Sequence, residues 1–499
     1  MNWFLHIFEI FIRSGWLIIT PTLLTLCGMA MGLRFWDSLR SGVRTAAAIF
    51  GLNLMVNSLG NSLSGVIADI ALNHQLALEV TDAGWGASSA IASASQINAW
   101  IVPLYAAVNW VLLLSRCTRT LNLDLWNLWH VSFIGAMVER LTDSFAYGMV
   151  SAAAMGAMLL VLSDRCGWRM GRYCQLAGVS VANGYVSAAV PFALAAEHLM
   201  NFIPGRPRLV LDRSPEPQST LASPVAWSFA IGILLGVLAG RDGYGILQLA
   251  MTFGALAFLA PYLGQALSAA VLPVSEAVTG FSREKLGMKG NLYLGLTPTA
   301  ALGNGTVIVV TLMVAPLITF LAGAIPGNRF LPQGDIVMLP YIIGLIVLIC
   351  RGDLVRSLLA GVMVSSVMVW CSSSLAELFT LGAVTANAEA YEQLGTISNF
   401  SDGGNPLAWL AVQAGSYGFA GMALLVVAAI TLVMWNRNRI VTGADVGVLR
   451  VKRAKFSRSE GKAASRKAAA EAPGAAAPEA APAPKPETEP APLAPEKPE

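Results

Sequence analysis

Seven residues have the type and setting to hold a small polar solute. Ser88, Ser89 and Gln96 fall in a glycine-rich stretch from Gly84 to Gln96, and Asn183 and Asn304 each adjoin a glycine in apolar surroundings. His130 closes a run containing Trp126 and Trp129, and Asp402 opens an Asp-Gly-Gly-Asn-Pro segment. Hydroxyl and amide groups both donate and accept hydrogen bonds, which suits a ligand made mostly of hydroxyls. An amide left unpaired in an apolar setting costs several kcal/mol on scales that allow it no partner, so Asn183 and Asn304 are the strongest ligand candidates. Each other position has a second reading. His130 serves equally as an interfacial anchor beside the tryptophans, the serines can satisfy themselves on nearby backbone, and Asp402 can cap a turn. Glu139, Arg140 and Asp143 lie in or at the end of an apolar run, where ionisable groups face a cavity or one another, and a mutual ion pair is expected.

Other chemistries lack their residues. The four histidines (His6, His74, His130, His198) have no metal-ligand spacing, and no HExxH or P-loop pattern occurs. No Ser–His pair is positioned for intramembrane hydrolysis. The six cysteines (Cys27, Cys117, Cys166, Cys174, Cys350, Cys371) form no CxxC or Cys/His cluster and are expected to pack as small apolar residues. No catalytic residue, metal, cofactor or nucleic-acid partner is expected.

The elements that must position these groups follow from composition. Of 499 residues, 55% are hydrophobic and 12% charged, about half the charge of a soluble chain. Apolar runs of helix-spanning length recur from residue 14 to 435, so the fold class expected is an all-α polytopic membrane protein. About eleven spans are predicted, at 14–33, 45–72, 98–115, 127–147, 147–163, 223–240, 244–272, 306–325, 335–350, 357–377 and 407–435. With the N-terminus outside, sixteen loop lysines and arginines fall inside, among them Arg34, Arg40, Arg116, Arg165, Arg283 and Arg351. Only Arg13, Arg140, Arg241 and Arg329 fall outside, a positive-inside bias that puts the C-terminus in the cytoplasm of a multi-pass inner-membrane protein.

Arg34-Phe-Trp-Asp37 leading into an Ala-rich run recurs loosely as Arg241-Asp-Gly-Tyr244, which suggests inverted five-helix repeats at about 14–163 and 223–377 joined by a connection at 164–222. Four polar, glycine-rich stretches (84–96, 178–185, 295–304 and 401–406) are expected as re-entrant segments, since irregular backbone at membrane depth must line a cavity or be buried in protein. Residues 1–13 read as an interfacial segment and 14–440 as the transmembrane domain. The basic stretch 441–463 is expected on anionic lipid headgroups, and the Ala/Pro/Glu/Lys-rich 464–499 to be disordered.

Several motifs, in order over about residues 10–440, resemble galactitol-type enzyme IIC permeases of sugar phosphotransferase systems. These are Asp82-Ala-Gly-Trp85, Ser88-Ser89, Ala94-Ser-Gln-Ile97, the specific run Thr118-Arg-Thr-Leu-Asn-Leu-Asp-Leu-Trp-Asn-Leu-Trp-His130, and Phe202-Ile-Pro-Gly205. Pro326-Gly-Asn328, Leu331-Pro-Gln-Gly-Asp335, Arg351-Gly352 and Asp402-Gly-Gly-Asn-Pro406 continue the series. The resemblance implies a homodimeric permease of the ascorbate–galactitol superfamily. It would bind and translocate a sugar alcohol that separate cytoplasmic IIB and IIA subunits phosphorylate, with no phosphoryl-donor residue of its own. Asn183, Asn304 and Thr297 depart from the family pattern, which has histidine at the first two positions and aspartate at the third. A secondary transporter or facilitator of a polyol or other carbohydrate on the same fold, without phosphotransfer coupling, is the alternative.

Overall fold

In the computed structural model, residues 15–202, 208–212, 219–285 and 292–443 are described. The expectations for 1–13, the Phe202–Gly205 motif beyond Phe202, all but the first residues of 441–463, and 464–499 lie outside them. The chain runs α1 (Trp16–Ala30), α2 (Phe35–Asn73), β1 (Thr81–Asp82), α3 (Gly84–Ala94), α4 (Ile97–Leu114), β2 (Thr120–Asn122), α5 (Trp129–Thr142), α6 (Phe145–Tyr173), β3 (Val179–Val181) and α7 (Val190–Met200). It continues with α8 (Pro224–Leu238), α9 (Gly243–Glu284), β4 (Tyr293–Leu296), α10 (Gly305–Leu321), α11 (Leu339–Ile349), α12 (Leu354–Ser374), α13 (Ala376–Ala386) and the short α14 (Ala388–Tyr391). β5 (Ile397–Ser398), α15 (Pro406–Ser416) and α16 (Gly418–Thr442) complete it.

Among the described residues, six helical stretches are long and apolar enough to cross a membrane: α4, α6, α9, 305–324, 354–386 and α16. Their outward faces carry large apolar side chains, such as Trp110 and Leu114 on α4, Leu247 and Met251 on α9, and Leu424 and Val427 on α16. An apolar surface of this extent is at home in lipid. The chain is an all-α, polytopic membrane protein. Some boundaries differ from the sequence reading for local reasons. The run 407–435 is two helices, broken where Gly418 takes φ +59. The run 127–147 ends at Asp143, which turns the chain in the left-handed region at φ 50. Of the stretch 84–96, residues Gly84–Ala94 form the regular helix α3.

Helices approach closely where side chains vanish. A Cβ on Gly232 of α8 would lie 2.6 Å from the Ala250 Cα of α9, and one on Gly303, in the turn before α10, would lie 2.4 Å from the Gly264 Cα of α9. Small residues at such crossings allow the dispersion contacts that hold helices together when lipid removes the hydrophobic drive.

The short strands cross-link the two ends of the chain. β4 lies between β2 and β3, parallel to both. β1 pairs in parallel with β5 on one side, and its neighbour Val80 bridges Phe330 in parallel on the other. In each set, a strand from one part of the chain sits between two from the other. These pairings satisfy backbone groups that neither lipid nor a helix would satisfy.

Candidate functional site

The non-helical segments converge, and buried carboxylates tie them together. Asp82 accepts hydrogen bonds from the backbone N–H of Gly84 (3.1 Å), Gln333 (2.9 Å) and Asp335 (2.9 Å), fastening the start of α3 to the turn before α11. Asp335 in turn accepts from the Ser401 N–H at 2.7 Å. Asp402, fully buried, accepts from His130 Nδ1 at 2.9 and 3.0 Å and from Ser88 Oγ at 3.1 Å. The Asn405 side-chain amide donates to the Gly184 carbonyl at 2.9 Å, joining the turn before α15 to the one after β3. Backbone donors that a helix would have used internally are thus given to carboxylates, and the Gly184 carbonyl receives a side-chain amide donor.

In front of this knot opens a cavity of about 420 Å³. Its aromatic walls include Phe50, Trp85, Trp129, Tyr185 and Tyr341, and its polar lining comprises Thr20, Asn53, Asn57, Asp124, Asn127, His130, Asn183, Thr297 and Thr299. Among the described residues no lysine or arginine lines it. Thr299 donates to Asn53 Oδ1 at 2.8 Å. Asn127 donates to Asp124 at 2.7 Å. Asp124 sits in the loop between β2 and α5, outside the spanning helices. Burial pushes its carboxyl up to about 6, against the pull of the Asn127 hydrogen bond.

The cavity gathers some of the residues singled out in the sequence and not others. His130 and Asn183 line it, and Ser88 and Asp402 stand behind His130 as its support. Ser89 and Gln96 are not in the lining, and Gln96 is exposed at the start of α4. Asn304 lies elsewhere, beside a separate niche of about 20 Å³, and its Oδ1 accepts from the Thr306 N–H at 3.0 Å as the N-cap of α10. A capped helix end accounts for its burial without a ligand. Glu139, Arg140 and Asp143 do not pair with one another. Ser95 donates to Glu139, and Arg140 donates to Thr385 at 2.7 Å.

Sequence reasoning did not single out Asn53, Asn57, Asp124, Asn127 or Tyr341. Asn53 and Asn57 did carry a signal, being two amides one helical turn apart on a largely apolar stretch of α2. An aromatic-walled chamber lined by amides, hydroxyls and one carboxylate, set in a bundle of apolar helices, is the arrangement of a membrane permease for a small polar solute.

The chain belongs to the EIIC-GAT family, the sugar-specific permease components of PTS systems, whose profile matches residues 11–393. It is 28% identical over 412 residues to the PTS system galactitol-specific EIIC component of Escherichia coli (strain K12), covering 82% of this chain and 91% of that protein. It is also 28% identical over 435 residues to a putative permease IIC component of the same organism, covering 87% of this chain and 99% of that protein.

Proposed function

We propose that the cavity binds a neutral sugar alcohol, galactitol or a close relative, and carries it inward for phosphorylation by a separate cytoplasmic IIB subunit served by IIA. The carrying observation is the lining: flat aromatic faces, amides and hydroxyls, one carboxylate and no cation. Aromatic faces pack against the C–H surface of a sugar, and neutral donors and acceptors match its hydroxyls. An anionic solute would find Asp124 and no positive partner. The 28% identity to a galactitol-specific component supports the same substrate class.

The cross-paired strands support an inverted architecture. The first described part opens with a 15-residue helix and a 39-residue helix, α1 and α2, and the second with a 15-residue and a 42-residue helix, α8 and α9. The 11-residue α7 and α15 each follow the last strand of their part. Two halves of five spans each, related by inversion, with an eleventh span at the C-terminus, account for this order. The domain bounds of 14–440 are kept in this reading, and matching α7 to α15 extends the halves beyond 14–163 and 223–377, to about residues 200 and 416. The arginine distribution supports an outside N-terminus and a cytoplasmic C-terminus, and a homodimer is the assembly the family resemblance implies.

Vesicles containing the purified chain test the reading. With the cytoplasmic donor subunits and a phosphoryl source inside, labelled galactitol should appear in the lumen as its phosphate, and without them it should not accumulate. Accumulation of free galactitol against a gradient with no donors present would replace this reading with a coupled secondary transporter.

A further inference from the structure

His130 is held on every side but one. Its Nδ1 faces the Asp402 carboxyl at 2.9 and 3.0 Å, while Trp129 lies against the ring at a centroid distance of 3.7 Å and Tyr185 at 4.8 Å. Asp402 is itself oriented. The Asn399 amide oxygen accepts from the Gly403 N–H at 2.6 Å, so its NH₂ donates to Ser88 Oγ at 2.9 Å, and the Ser88 hydroxyl lies 3.1 Å from Asp402. A carboxylate only accepts, so the ring nitrogen facing it must carry the hydrogen. The remaining nitrogen, Nε2, has no protein partner among the described residues, and the ring lines the cavity.

Asn183 supplies the complement. Its Oδ1 accepts from the Tyr185 and Val186 N–H groups, both at 3.1 Å, which fixes the amide orientation. Its Nδ2 is buried without a partner on a residue 1% exposed that lines the same cavity. Burying a donor with nothing to donate to is costly, and a ligand acceptor removes that cost.

We infer that Asp402 is a positioning residue that locks His130 in the Nδ1–H tautomer, so that the cavity presents one obligate acceptor (His130 Nε2) and one obligate donor (Asn183 Nδ2) to the solute. The ligand side of this inference rests on the polyol reading above, while the tautomer does not. A hydroxyl serves either group, because it donates and accepts. A carbonyl, carboxylate or fluorine cannot serve His130, having no hydrogen to give, and an ammonium cannot serve Asn183, having no lone pair. The pair therefore selects hydroxyls over the oxidised and aminated forms of the same carbon skeleton.

Two measurements test it. In protein labelled with ¹⁵N-histidine, His130 is identified as the one of four histidine signal sets lost in His130→Gln, or in His130→Asn if the first variant does not fold. In the wild-type chain its Nδ1 should show a pyrrole-type shift and its Nε2 a pyridine-type shift. In Asp402→Ala the Nδ1 pyrrole-type signal should diminish. The reverse assignment in the wild type, or two pyrrole-type nitrogens, overturns the inference whatever the substrate proves to be. In the second measurement, wild-type protein is titrated with galactitol and with its monodeoxy and monofluoro analogues. At the hydroxyl read by His130, hydrogen and fluorine should weaken binding equally, by about tenfold, and His130→Ala should abolish that penalty. If fluorine restores the affinity that hydrogen loses, Nε2 is a donor and the lock is refuted. If galactitol and the other hexitols fail to bind, the polyol reading falls and the nitrogen shifts still decide the tautomer.

Discussion

Gly184→Ala tests the close packing behind the cavity. A Cβ at position 184 would lie 2.4 Å from His130 Cβ, 3.0 Å from the His130 carbonyl carbon and 3.2 Å from the Val131 nitrogen. Carbon atoms rest at about 3.5–4.0 Å, so the loop and the first turn of α5 must part by about 1 Å. Neither side yields readily, because Gly184 is tethered by the Asn405 amide at 2.9 Å and His130 by Asp402 at 2.9 Å. Overpacking of this kind costs about 1–3 kcal/mol. A shift of that size would stretch the His130–Asp402 contact beyond hydrogen-bond range and move Asn183 relative to Nε2. At about 1.4 kcal/mol per tenfold, affinity should fall by roughly 10- to 100-fold. The assay is the dissociation constant for galactitol by titration calorimetry in nanodiscs, alongside the melting temperature. Gly65→Ala is the control, since a Cβ there meets nothing within 4 Å. Wild-type affinity and melting in Gly184→Ala would refute the packing argument and with it the placement of Asn183 beside His130.

Four further outcomes follow from the same geometry. Asn183→Ala should abolish the thermal shift induced by the best-binding hexitol, because its otherwise unpartnered Nδ2 is lost, and should also lower the unliganded melting point, because the Tyr185 and Val186 N–H groups lose their acceptor. Asn304→Ala should lower stability by about 1 kcal/mol through loss of the α10 cap, whereas its hexitol affinity should stay unchanged. Asp82→Asn should destabilise the chain by several kcal/mol, since an amide cannot accept all three of the N–H groups that the carboxylate holds; a wild-type thermal melt would refute that. Asp124 is raised to about 6, so it loses its charge as pH falls through that value, and charge-assisted bonds from ligand hydroxyls weaken with it. Galactitol affinity should therefore drop between pH 7 and pH 5 in the wild type, and Asp124→Asn should flatten the profile.

Whether a residue binds or merely supports depends here on contacts distant in sequence. Asn183 and Asn304 look alike as strings, each an amide beside a glycine in apolar company. The first turns its oxygen to its own loop and leaves its NH₂ unpartnered in the cavity lining, while the oxygen of the second caps α10. Local sequence could not separate them, because capping and ligand binding ask for the same side chain. Likewise His130 and Asp402 are 272 positions apart, and their pairing exists only because the turn before α15 packs against the start of α5.

The sequence by itself determined the membrane class, because apolar length and scarcity of charge must match a hydrocarbon slab whatever the packing. It also marked the polar segments 178–185, 295–304 and 401–406, since backbone that cannot be helical in lipid has to be enclosed by protein. Tertiary structure decided which of those segments meet, which amide lines the cavity, and that Asn53 and Asn57 from a long apolar helix share the chamber with His130. A cavity is a property of the space between elements. One chain's periodicity constrains each wall but not how the walls are set against one another.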